Sequence, residues 1–177
     1  MTNRRDFLAT GALLSLAMGE QALAAPAPSS DGAPRLELAL EIIADIAESQ
    51  DMGEGPLGGR RIVPIIGGEF SGPGLHGHAL HGKVRPGGAD RQLIRSDGVK
   101  QLSALYELET HDGAIITVLN KVLVENFADG SRYAFSTPEI TAPKGPYDWL
   151  NHAVFVGTLT SLKPARQAVK LRFFRVF

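Results

Sequence analysis

The chain has 177 residues, 44% of them apolar, and sets 18 Lys and Arg against 19 Asp and Glu for a formal charge of −1. That near-neutral balance excludes a broad basic field for nucleic acid or an anionic lipid surface. It has no cysteine, which excludes disulfides, thiolate catalysis and thiolate-held metals and fits an oxidising destination.

The N-terminus carries Asn3-Arg4-Arg5-Asp6-Phe7-Leu8, then a short apolar run from Ala9 to Met18, then Ala22-Leu23-Ala24. Paired arginines, a brief apolar stretch and a small-x-small cleavage pattern predict a twin-arginine export signal over residues 1–24. The apolar run is about half the ~20 residues a spanning helix needs. The expectation is a periplasmic protein with no membrane contact after cleavage, carried by a route that accepts folded cargo. Residues 25–34, rich in Pro, Ala and Ser, have nothing to bury and are expected to be a disordered linker. Residues 35–177 are then of the size of one ordinary domain.

Leu36 to Ile42 alternates apolar and polar residues as a half-buried strand does, although Leu36, Leu40, Ile43 and Ala47 also match helical spacing. The rest of the domain favours strand here. Arg61 to Ile66 is β-rich and is closed by Gly67-Gly68; Glu69-Phe70 leads to a tight turn at Ser71-Gly72-Pro73-Gly74. Lys83-Val84 and Arg91 to Ile94 are strands followed by turns at Pro86-Gly87-Gly88 and Asp97-Gly98. Ser103 to Thr110 alternates well, and Asp112-Gly113 is a hairpin signal before Ala114 to Val118. Tyr133 to Ser136, Val154 to Val156 and Val169 to Val176 complete the series. Nine or ten strands with no long helix predict an all-β domain, a single antiparallel β-barrel or rolled sheet, because closure removes exposed edges. A two-sheet sandwich is the alternative.

Arg60 to Ile65, Gly67-Gly68-Glu69-Phe70-Ser71-Gly72-Pro73, Pro86-Gly87-Gly88-Ala89-Asp90, Asp112 to Ile116, Phe135 to Pro138 and Tyr147 to Asn151 follow one another in a fixed order. That order of motifs resembles the domain-of-unknown-function 3237 family (uncharacterised protein family 0311). The resemblance spans about Leu36 to Phe177 and implies a small β-barrel-like domain, with no established activity. Two departures stand out: Arg91, where the family usually has an aromatic residue, and a lengthened segment holding His76, His78 and His81.

Candidate chemistry centres on Gly87, Gly88 and Asp90. Paired glycines allow positive φ and close backbone approach, and Asp90 sits where a general base or ligand-fixing carboxylate would be presented. An Asx-type turn is the competing explanation. Tyr106 is the phenol that would donate to a bound carbonyl, and Asn151 the amide that would steady a developing oxyanion. Trp149 and Tyr147 have the aromatic surface to line a pocket; the competing explanation is a structural plug at one barrel end. Asn120 and Tyr133 are polar groups on otherwise apolar strands and are read as pocket residues. His76, His78 and His81 have metal-ligand spacing, but the glycines around them favour a solvent-facing loop, so no metal is expected. No nucleotide, phosphate or zinc-helix motif is present in the sequence, and no cofactor is expected.

The expectation is a small-molecule barrel doing cofactor-free acid–base chemistry, as an isomerase, lyase or hydrolase on a hydrophobic or aromatic substrate. A barrel that carries a lipophilic ligand without chemistry, and a structural homo-oligomer of the cell envelope, are the alternatives.

Overall fold

Residues with alternating polarity form long antiparallel strands in the computed structural model, which describes residues 32–75 and 77–177. The export signal and all of the linker before Gly32 lie outside the described residues. The strands are β1 (Leu36–Ile46), β2 (Gln50–Gly55), β3 (Gly58–Leu75), β4 (His78–Val84), β5 (Ala89–Ile94), β6 (Lys100–Thr110), β7 (Ile115–Asn126), β8 (Arg132–Thr141), β9 (Phe155–Ser161) and β10 (Ala168–Val176). Among the described residues the helical element is a 3-10 turn, Asp148–His152.

The sheet closes into an eight-stranded antiparallel barrel. β10, β9, β8, β7 and β6 follow β1 around the wall; β3 pairs back onto β1, from Glu41 opposite Ser71 to Asp45 opposite Gly67. β4 and β5 share one position: both lie between β3 and β6, β4 against one half of β3 and β5 against the other. β2 folds back on the start of β3 as a hairpin outside the ring.

Two local expectations are corrected. Gly67-Gly68 does not end a strand and Ser71 to Gly74 is not a turn; β3 runs through both. Gly68, Gly72 and Gly74 serve close strand contact instead. Gly68 has φ +132°, and a Cβ there would meet the Ile43 carbonyl oxygen at 2.0 Å, so β1 packs where only glycine fits. Pro86-Gly87-Gly88 does follow β4 as a turn, but one that does not reverse the chain. It is a break within a single stave, whose ends remain anchored by Arg85 N–H to Glu107 O and Ile65 N–H to Gly88 O at 2.8 Å each.

The barrel's two halves differ. Toward the 3-10 turn, Leu40, Leu80, Leu108, Ile116, Leu150 and Phe173 are fully buried and fill the interior, each worth about 1.5–3 kcal/mol of burial. Toward the opposite end, where β1 finishes and β6 and β8 begin, the interior is not filled, and a cavity of about 290 Å³ remains.

Candidate functional site

The cavity floor is a polar layer assembled from neighbouring strands. Asp90 on β5 pairs with Val63 on β3 and Ala104 on β6, and Ala104 pairs with Asn120 on β7. Asp90, Ala104 and Asn120 therefore form one row on the inner face, with the smallest side chain between the two polar ones. Tyr106, two residues further along β6, points to the same face and is fully buried. All four line the cavity, together with Gln92.

The broken stave makes this arrangement fit. Gly87 has φ +112°, in the region that favours glycine. At Gly88 a Cβ would fall 2.6 Å from the Tyr106 Cβ and 2.8 Å from the Leu105 carbonyl oxygen. The two glycines bring β5 in against Tyr106 and set Asp90 inside the barrel.

Polar atoms here lack protein partners. Asp90 Oδ1, the Tyr106 hydroxyl and Asn120 Oδ1 are buried with no hydrogen-bond partner among the described residues, as is Ser136 Oγ on β8. Natural interiors contain few such atoms, and three of these four line one cavity. The one side-chain bond on the floor runs from Gln92 Nε2 to Asp90 Oδ2 at 2.6 Å.

Electrostatics follow from burial. Desolvation raises the Asp90 pKa above its ordinary value, and the hydrogen bond from Gln92 offsets part of that rise. Desolvation, and then the negative charge of Asp90, push the Tyr106 phenol far above its usual value. Tyr106 is therefore a neutral hydrogen-bond donor at any working pH, beside a carboxyl group whose proton is held more tightly than usual.

The walls are apolar, with Ile46, Val63, Ile65, Leu102, Val122 and Leu171 among them, and Lys100, Arg132 and Lys163 stand at the mouth. A broader concavity of about 740 Å³ lies by the β2–β3 hairpin, lined in part by Arg60, Arg61, Arg91 and Lys121. None of the four unpartnered atoms belongs to a residue lining it.

Of the residues singled out in the sequence, Asp90, Tyr106 and Asn120 meet in the cavity, and Gly88 packs behind them. Tyr147, Trp149 and Asn151 are not brought to it; they lie in and beside the 3-10 turn at the filled end. Asn151 Oδ1 accepts from Ala142 N–H at 2.8 Å and its Nδ2 donates to Ala142 O at 3.0 Å, so the amide clamps the chain corner. The Tyr147 hydroxyl donates to Asp112 Oδ1 at 3.0 Å. Trp149 packs on Phe155 and lies under the Arg175 guanidinium. Tyr133 is exposed on the outer wall beside Phe135. His81 stacks on His111 with ring centres 4.2 Å apart, His78 is exposed, and His76 lies outside the described residues.

Sequence reading missed Gln92 and the three cations at the mouth. Gln92 was within reach, since it stands two residues from Asp90 on the same strand and so shares its face. The others carry no local signal.

Residues 34–176 match the model of a family described as "Protein of unknown function (DUF3237)". A UPF0311 protein of Bradyrhizobium diazoefficiens is 38% identical over 130 residues, which cover 66% of this chain and 82% of the relative. The crystal structure of a conserved protein of unknown function from Rhodopseudomonas palustris superimposes with a TM-score of 0.73 at 29% identity, covering 81% of this chain and 98% of that one. A structure described as an enzyme from Penicillium herquei has a TM-score of 0.63 at 19% identity over 81% of this chain and 95% of that one. At that identity the likeness is one of fold.

Proposed function

This chain belongs to the DUF3237 family, and we propose that its barrel binds a small, partly apolar molecule and moves a proton on it. The observation that carries the proposal is the cluster of unpartnered buried oxygens of Asp90, Tyr106 and Asn120 on one cavity floor. Leaving a buried polar group unbonded costs about 1–3 kcal/mol; a ligand carbonyl accepting from the Tyr106 hydroxyl, or a ligand hydroxyl donating to Asp90 Oδ1 or Asn120 Oδ1, relieves that cost.

The chemistry these groups support is proton transfer next to a carbonyl. The ligand carbonyl accepts a hydrogen bond from the Tyr106 hydroxyl. Asp90, as carboxylate, takes a proton from the adjacent carbon, and the electron pair moves onto the carbonyl oxygen as an enolate, which the neutral phenol stabilises. Where a C=C bond adjoins that carbon, the enolate is conjugated, and return of the proton from Asp90 to the far alkene carbon gives an isomerase. Where a β-substituent leaves with its bonding electron pair as the Cα–Cβ double bond forms, and takes the proton from Asp90, the result is a lyase. Asn120 Oδ1, an acceptor, takes a hydrogen bond from a ligand hydroxyl or N–H beside that carbonyl. A raised Asp90 pKa makes the carboxylate a stronger base than a surface aspartate.

The test is proton exchange. A panel of aryl ketones is incubated with the protein in D₂O, and loss of the α-proton signal is followed by NMR. The proposal expects faster exchange with the wild-type protein and background exchange with Asp90→Asn. Binding of the ketones without any acceleration would instead establish the carrier reading, which the predominantly apolar walls favour.

A further inference from the structure

We propose that the ligand is an organic acid, held at the cavity mouth by Lys100, Arg132 and Lys163 through its anionic head. Its apolar body lies against the cavity walls, and a carbonyl or hydroxyl at its inner end meets Asp90, Tyr106 and Asn120. This rests on the cavity reading above and adds the class of molecule.

Lys100 is the first residue of β6, Arg132 the first of β8, and Lys163 follows the end of β9. Antiparallel alternation therefore gathers all three at one end of the barrel, and all three line the cavity. Neither Lys100, Arg132 nor Lys163 has a carboxylate within 4.0 Å among the described residues. Arg35, Arg60, Arg61, Arg91, Lys144 and Arg175 are likewise without such a pair among the described residues but do not line this cavity, whereas Lys83, Arg85, Arg95, Lys121, Arg166, Lys170 and Arg172 are each paired.

Among the described residues the only carboxyl lining the cavity is that of Asp90, at its floor. Cations at the mouth of a low-dielectric cleft focus their field into it and draw anions in.

The remaining features narrow the class. An inorganic anion would gain nothing from the apolar walls, and a neutral lipophile nothing from the cations. Lys100 and Ala104 are four residues apart on β6, about 13 Å at ~3.3 Å per residue. With a barrel strand tilt of about 40°, that leaves roughly 10 Å between mouth and floor along the axis. The cavity, about 290 Å³, stands at the lower bound of roughly 300 Å³ for ligand pockets. One substituted ring fits these dimensions, whereas a long acyl chain does not.

The experiment uses 4-acetylbenzoate, which has a carboxylate and a ketone at opposite ends of one ring, against 4-acetylbenzamide, which keeps the shape and loses the charge. Affinities are measured by protein-observed NMR titration at two salt concentrations. The proposal expects the acid to bind about tenfold tighter than the amide, an advantage that shrinks with added salt. It also expects a Lys100→Gln, Arg132→Gln, Lys163→Gln variant to lose that advantage while holding the amide as before; an unchanged melting temperature confirms that this variant folds. Equal affinity for acid and amide would overturn the anionic assignment and leave the cavity reading standing. Failure of both probes to perturb Ala104, Asn120 and Val122 would overturn the cavity reading and this inference together.

Discussion

Replacing Tyr106 with Phe should make the protein more stable while weakening what it binds. The ring is fully buried and its hydroxyl has no partner among the described residues. Phe keeps the ring contacts behind Gly88 and removes only the unbonded group. An unsatisfied buried hydroxyl costs about 1–3 kcal/mol, part of which is regained when the position turns apolar, so the expected gain is about 1–2 kcal/mol. At roughly 3–4 °C per kcal/mol for a domain this size, melting should rise by about 3–8 °C. Urea denaturation followed by the emission of Trp149, the only tryptophan, reads the change from the filled end, away from the substitution. In the same variant, affinity for a carbonyl-bearing ligand should fall by about tenfold, the worth of one hydrogen bond in a desolvated site. A loss of stability of about 1 kcal/mol or more would refute the reasoning: the hydroxyl would then be bonded in the free protein and not held in reserve.

Three further outcomes follow from the same geometry, and a fourth from the N-terminal sequence. Burial raises the Asp90 pKa above that of an ordinary aspartate, so ionising it in the folded state opposes folding. Wild-type stability should fall as pH climbs from about 4 through that raised pKa and then level off, because the unfolded chain releases its proton first; Asp90→Asn should lack this fall, and parallel stability curves for the two proteins would contradict the assignment. Proton-exchange activity should run the opposite way, appearing as pH rises through the same pKa. Asn151→Ala breaks the clamp on Ala142 and should cost about 1–3 kcal/mol in urea denaturation while leaving ligand affinity unchanged, since Asn151 does not line the cavity. Replacing Arg4 and Arg5 by Lys should leave the protein in the cytoplasmic fraction of its host, whereas undiminished export would remove the twin-arginine proposal.

How far the sequence carried each element depended on whether its signal was local. The wall strands β6 and β7 alternate because one face meets the interior and the other water, so their period of two was legible, as was the lone polar Asn120 on an apolar face. β1 had both periods, and what decides it is the pairing with β3 and β10, long-range contacts that no window of residues contains. β3 was cut short because a glycine needed for close strand approach, as Gly68 is, looks the same as a glycine in a turn. Tyr147, Trp149 and Asn151 had the right chemistry for a pocket, yet the partners that fix Tyr147 and Asn151, Asp112 and the Ala142 backbone, are set by the closure of the barrel end. Lys100, Arg132 and Lys163 look like ordinary solvated cations until the ring gathers them.

The most direct test of the cavity floor as a ligand site is a crystal structure of the protein soaked with 4-acetylbenzoate. The account predicts continuous density inside the barrel, with the ketone oxygen about 2.6–3.2 Å from the Tyr106 hydroxyl and the carboxylate among Lys100, Arg132 and Lys163. Ordered waters bonding Asp90, Tyr106 and Asn120, identical with and without the soak, would contradict it.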